Sequence, residues 1–96
     1  MNGGPEFDWD QDNVEHIARH NVTPAEAEQV LRNKAIIVAS QIRNGEERVL
    51  CVGRTDARRA IQLIYTIRQG RFRVVTAHDA SRRMRRFLYE AEEAGN

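Results

Sequence analysis

Ninety-six residues, 41% apolar and 30% charged, supply one small globular domain with material for a single core and none for a second. The lone cysteine, Cys51, excludes a disulfide framework and a zinc quartet, and no apolar run approaches membrane-spanning length. The net charge of +1 hides a segregation: acids crowd the N-terminal third, while the basic charge, all arginine except Lys34, gathers from Arg43 onward.

In chain order, residues 1–5 are expected to form a disordered tail and 6–94 a single domain. Glu6-Phe7-Asp8-Trp9 alternates polar and apolar residues, which predicts a short first strand. Asp10 or Asp12 then caps a helix that buries Val14, Ile17 and Ala18, with Asn21 as a left-handed terminator. Thr23-Pro24-Ala25-Glu26 is a capping box with proline preset for the first helical position. It predicts a second helix with Ala27, Val30 and Leu31 inward and Asn33 at its end. Ala35–Ile42 is β-branched and runs into the hairpin signal Asn44-Gly45, followed by a strand over Arg48–Gly53. Ile61–Ile67 is almost continuously apolar, as a central strand covered on both faces requires. Arg68-Gln69-Gly70 turns the chain into a strand over Arg71–His78. Short connections make the four an antiparallel meander.

The period then changes. Ala80, Met84, Phe87, Leu88 and Ala91 recur at helical spacing, one apolar face of a last helix with Asp79 as its expected cap. Arg82, Arg83, Arg85 and Arg86 sit at the positive end of that helix, and Glu90, Glu92 and Glu93 near its negative end. Each badly placed charge costs about 0.3–1 kcal/mol against the macrodipole, so the arrangement needs another reason, such as an anionic partner. The fold class is α+β: a short strand, two helices, a four-stranded antiparallel meander and a C-terminal helix.

Several residue groups are candidates for chemistry. His16 and His20 share a helix face, but without an adjoining glutamate the spacing favours solvated histidines over a metal site. Asp8, Asp10 and Asp12 lack the glycine and terminal glutamate of a calcium loop, and capping explains them. No metal or cofactor is expected. Gly53-Arg54-Thr55 is too short for a phosphate loop, although Arg54 ends a strand where functional side chains project. Arg48, Arg71 and Arg73 lie at or near strand ends, where edge charges also block sheet-to-sheet aggregation. Arg82, Arg85, Arg86 and Tyr89 fall at helical spacing, and arginines interleaved with a ring suit single-stranded RNA. A solvated helix face supported by an Arg86–Glu90 pair is the plainer alternative. No nucleophilic triad or paired-carboxylate site can be assembled.

Taken in order, Phe7-x-Trp9-Asp10, His16-Ile17-Ala18-Arg19-His20-Asn21-Val22-Thr23-Pro24-x-Glu26-Ala27, Gly53-Arg54-Thr55, Tyr65-Thr66, Arg73-Val74-Val75-Thr76-Ala77 and Arg82 through Tyr89 resemble the BrnT family. The sequence departs from that family's usual pattern at Asn21, where glycine is common, at His78, where arginine is, and at Met84, where glutamate is. A cytoplasmic protein is expected from an N-terminus without a basic flank or apolar stretch, and the resemblance implies a RelE-like fold and a ribonuclease toxin that blocks translation. It also implies neutralisation by a ribbon-helix-helix antitoxin, with operator DNA met only through the antitoxin complex. Given that activity, metal-independent cleavage needs proton carriers and phosphate clamps. His20 and His78 are the expected carriers with Tyr65 in support. Arg73 is expected at the phosphate, and Arg48, Arg54, Arg71, Arg82, Arg85, Arg86 and Tyr89 as the RNA-binding set. The antitoxin is expected to cover the arginine surface. The competing reading is an inactive module that grips an acidic antitoxin segment or supports operon repression without cleaving RNA.

Overall fold

The expected capping box forms at the second helix, and the first helix has one as well. In helix α1 (Gln11–Ala18) the Asp10 carboxylate accepts from the Asn13 amide at 3.2 Å, while the Asn13 side chain accepts from the Asp10 amide at 2.8 Å. In helix α2 (Pro24–Arg32) Thr23 and Glu26 exchange the same pair of bonds, each at 3.1 Å. Asn21 terminates the first helix with φ 59°, as expected of an asparagine there. The computed structural model describes residues 5–95, so most of the expected tail lies outside the described residues.

Strands β1 (Ile36–Arg43), β2 (Glu46–Arg54), β3 (Ala60–Arg68) and β4 (Arg71–Asp79) form one antiparallel sheet in the order β1-β2-β3-β4. Asn44-Gly45 and Gln69-Gly70 close the two tight hairpins with positive φ at both central residues, the twist that two-residue turns need. Helix α3 (Arg82–Ala94) follows.

Four expectations are corrected. Glu6–Trp9 does not form a strand. Phe7 makes an isolated parallel bridge to Phe72, held by Phe72 N–H to Glu6 O and Asp8 N–H to Phe72 O at 2.9 and 2.8 Å. The chain is then drawn away, because Trp9 Nε1 donates to Glu28 at 2.8 Å and Asp10 is already the cap of α1. Asp79 does not cap α3. It is held extended opposite Ile61 at the end of β4, and Ser81 takes the role by accepting from the Met84 amide at 3.2 Å. Ala18 is exposed and Asn13 is buried in its stead, donating to Asp8 O and Val74 O at 3.0 and 3.2 Å; these bonds satisfy the amide that burial would otherwise penalise. Phe87 remains 37% exposed at the rim of α3.

The apolar interior is also divided, not single. Helices α1 and α2 cover one face of the sheet, where Ile17, Val22, Ala27 and Val30 pack on Cys51, Ile61, Leu63, Val74 and Ala77. Helix α3 covers the other, with Ala80, Met84 and Leu88 on Val52. A Cβ on Gly53 would sit 3.1 Å from Val30 Cγ1 and 3.2 Å from the Ala35 backbone, so glycine there lets α2 lie close on β2.

Candidate functional site

Alternation along β4 alone puts Arg73 and His78 on opposite faces of the sheet. The structure places them together. Tyr65 pairs with Val74 while Ile64 pairs with Thr76, so Val75 is an extra residue, a β-bulge, and parity reverses across it. Arg73, Thr76 and His78 therefore share the face that carries Arg48, Leu50, Ile64 and Thr66 on the neighbouring strands. Helix α3 crosses this face toward the end formed by the start of β1 and the end of β2, its cluster with Val52 taking in Ile36, Val38, Leu50 and Ala60. The other end is an open floor.

The floor has a positive centre. Arg48, Arg68 and Arg73 line a depression of about 280 Å³ together with Asp12 and His16 from α1, which lies against β4. Arg73 is 13% exposed and already engaged, with Nη1 3.0 Å from Asp10 and 3.4 Å from Asp8. The Arg73 side chain, followed by the Asn13 amide, holds the Asp10 carboxyl below its ordinary range, and Asp10 in turn raises Arg73. Arg68 is anchored on Glu46 at 2.8 Å, which likewise lowers that carboxyl. Arg48 differs. Its contact to Glu46 is 3.9 Å long, and among the described residues its buried Nε has no hydrogen-bond partner. Leaving a buried donor unpaired costs about 1–3 kcal/mol unless something else accepts from it. The same side chain lines a second depression of about 310 Å³ with Ala39, Gln41, Arg43, Leu50 and Ile64. Arg48 thus sits where two grooves on the floor meet.

A row of imidazoles runs from this centre along the sheet edge. His16 Nε2 lies 3.1 Å from Thr76 Oγ1, its ring is 5.9 Å from that of His20, and His20 is 5.4 Å from His78. His78 Nδ1 is 3.0 Å from Asp79 O, so a proton on Nδ1 can be donated there and leave Nε2 as the free nitrogen. His20 lies in the turn after α1, beyond the helix end. Among the described residues no cluster of three or more histidine, cysteine or acidic side chains is arranged to hold a metal ion.

The remaining sequence candidates lie elsewhere. Tyr65 is on the opposite face, packed at 5.0 Å against Phe72, and burial pushes its phenol up. Arg54 forks onto Glu92 of α3 (Nη2 to Oε1 3.1 Å), donates to Arg58 O at 2.9 Å and lies over the Tyr89 ring at 5.6 Å. It braces the end of β2 to α3. Arg71 reaches Glu6 at 3.5 Å on the exposed edge. Arg82, Arg85, Arg86 and Tyr89 line a surface depression of α3 with Glu90 and Glu93. Helix residues advance by about 100° each. Tyr89 and Glu92 face Arg54, so Phe87 and Arg83 occupy the flank toward the floor and the outward stripe points away from it.

Three residues were not singled out for these positions from the sequence. His16 looked like a solvated helix histidine. Arg59, buried to about three quarters, ties Asn21 O (2.7 Å), Glu26 (3.1 Å) and Asp79 (2.9 Å) together. Arg68 sat in what read only as a turn. The bulge that gathers Arg73 with the histidines leaves no mark in hydrophobic periodicity.

The family model described as the ribonuclease toxin BrnT of type II toxin–antitoxin systems matches residues 9–83. The chain belongs to the BrnT family. No curated protein matches it. The matched segment spans the whole floor and the histidine row and stops in the first turn of α3. As a BrnT-family toxin the chain has an antitoxin partner and an RNA target. Among the described residues no helix is long and apolar enough to cross a membrane.

Proposed function

We propose that this BrnT-family chain is a RelE-like, cytoplasmic, metal-independent endoribonuclease, and that RNA is cut on the open floor of the sheet. The observation that carries the reading is the gathering of the Arg48 guanidinium with Arg68, Arg73 and His16 around one depression on the sheet. A phosphate is an acceptor of the right charge and shape for that guanidinium. In the reaction the 2′-hydroxyl loses its proton and its oxygen attacks the adjacent phosphorus in line. The 5′-oxygen leaves and takes up a proton, giving a 2′,3′-cyclic phosphate and a free 5′-hydroxyl. His16 lies beside the arginines and serves as the first proton carrier. His20 and His78 continue the row and supply the second, on the leaving-group side. Arg48, with Arg68 and Arg73, stabilises the charge that grows on the phosphoryl oxygens.

A ribbon-helix-helix antitoxin neutralises the toxin, with operator DNA bound only by the complex. The competing reading, a module that represses without cleaving, draws support from the two carboxylates that already hold Arg73. Both are tested by cleavage of a defined RNA in EDTA, with end-group analysis of the products. The cyclic phosphate should appear with the parent and fall by about 10²–10³-fold with Arg48→Ala. Activity that vanishes with chelator and returns with magnesium overturns the metal-free mechanism. Parent protein that leaves the RNA intact sinks the enzyme reading altogether.

A further inference from the structure

The outward face of α3 remains unexplained by the floor. Arg82, Arg85, Arg86, Tyr89, Glu90 and Glu93 are exposed and line one depression of about 380 Å³, and no ion pair among the described residues reaches the three arginines. All but Arg82 lie beyond the segment that matches the family model. A polyanion laid along this helix would meet arginines over the first two turns and then Glu90 and Glu93. The stripe is bipolar, and a nucleic-acid backbone is not.

The bipolarity has a specific symmetry. Arg82 and Glu93, Arg86 and Glu90, and Arg85 and Tyr89 are each placed about evenly on either side of the helix midpoint between Phe87 and Leu88. At helical spacing Arg82 and Glu93 run along the crown of the exposed face. Arg86 and Glu90 share one flank, and Arg85 and Tyr89 share the other. A twofold axis perpendicular to two antiparallel helices brings like flanks together, so each of these pairs meets across it.

We propose that α3 pairs antiparallel with α3 of a second copy of this chain, forming a weak homodimer. Arg82 then meets Glu93 of the second copy, and Arg86 meets its Glu90. Arg85 stacks on its Tyr89, a residue that is 49% exposed and whose ring centroid has Arg54 at 5.6 Å. The pairing also accounts for charges that oppose the dipole of their own helix. In an antiparallel pair, arginines at one positive end lie beside the other helix's negative end and its glutamates. Exposed ion pairs contribute little apiece, and a thirteen-residue helix offers a contact well below the standard interface size. The expected dissociation constant is therefore about 10 μM to 1 mM at low salt.

Sedimentation equilibrium of the full chain tests this. The weight-average mass should rise from 11.1 kDa toward about twice that at low salt and return to the monomer at about 0.5 M salt. The double variants Arg82→Glu/Arg86→Glu and Glu90→Arg/Glu93→Arg should each self-associate at least about tenfold more weakly. Mixed one to one they should recover association, and a chain carrying all four changes should behave like the parent. Circular dichroism and the thermal midpoint confirm that the exposed changes leave the fold intact. Arg85→Ala/Tyr89→Ala, which alters no carboxylate, should also weaken the dimer. A parent that stays monomeric to about 1 mM at low salt overturns the proposal. So does a mixture of the opposite reversals that fails to associate. Binding of RNA or of an acidic polypeptide that follows arginine reversal, with no rescue by the four-residue swap, assigns the stripe to that ligand instead.

Discussion

Seven of the arginines form two contrasting sets, one sheltered and held by carboxylates, the other exposed. Arg54, Arg59 and Arg73 are largely sheltered and each is held by carboxylates: Glu92, then Glu26 and Asp79, then Asp8 and Asp10. They join elements far apart in the chain, β2 to α3, the β2–β3 connection to α2 and β4, and β4 to the start of α1. Arg82, Arg83, Arg85 and Arg86 are exposed and among the described residues have no ion-pair partner. Arg48 belongs to neither group: it is half-buried like the first and has an unsatisfied Nε. A sheltered guanidinium that is incompletely paired has a desolvation cost that the fully paired arginines do not carry.

The largest expected effect lies in the histidine row that this contrast leaves beside Arg48. His78→Ala and His16→Ala should each lower RNA cleavage by about 10²–10⁴-fold if the ring carries a proton. The thermal midpoint should move little, since neither residue is in the core. His78→Arg is the sharper test. An arginine variant as active as the parent would show that the position supplies only charge.

Among the scaffold arginines, Arg59→Ala should cost about 1–3 kcal/mol, because it leaves Glu26, Asp79 and Asn21 O without their shared donor. Its side chain is 26% exposed, which places the expectation toward the lower part of that range. At this chain length each kcal/mol lowers the midpoint by about 4–8 °C. A variant that melts with the parent would move Arg59 into the second population.

Acid should erase part of the same scaffold. Arg73 lowers Asp10, Arg68 lowers Glu46 and Arg54 lowers Glu92 from ordinary values of 3.8, 4.5 and 4.5. A carboxyl whose pKa is depressed on folding binds its proton more readily in the unfolded chain. Its contribution is therefore complete above the ordinary value and is lost as pH falls through the folded one. The midpoint should hold between pH 5 and 7, on the order of a plateau, and decline below about pH 4.5. Asp10→Asn with Glu46→Gln should flatten that decline.

The smallest effect belongs to the free arginines. Arg82→Ala and Arg83→Ala should leave stability within about 0.5 kcal/mol, with any change toward higher stability as the positive end of α3 loses a like charge. A marked loss in dilute protein would mean that these side chains brace the fold after all.

How much was legible follows from whether a signal is local. The Thr23–Glu26 box, the Asn44-Gly45 hairpin and the left-handed Asn21 were readable because each is decided within a few residues. The cap that failed was decided by partners distant in sequence: Asp79 is held by Ile61 and Arg59, and Ser81 takes the cap with its own amide on Gln62 at 2.8 Å. The expected first strand failed for the same reason, its residues being committed to Glu28 and α1. At the candidate site the residue types were visible, but Arg54 and Tyr65 were grouped with residues from which the fold separates them.

By itself, then, the sequence determined the elements, their turns and the family, since hydrophobic period, turn chemistry and motif order are properties of short stretches. Tertiary structure alone decided which side chains meet. One extra residue at Val75 carries Arg73 to the face of Thr76 and His78. Packing of α3 toward one end of the sheet leaves the floor around Arg48 open. Neither is encoded in any local pattern, because strand register and helix placement are set by pairing and burial between segments dozens of residues apart.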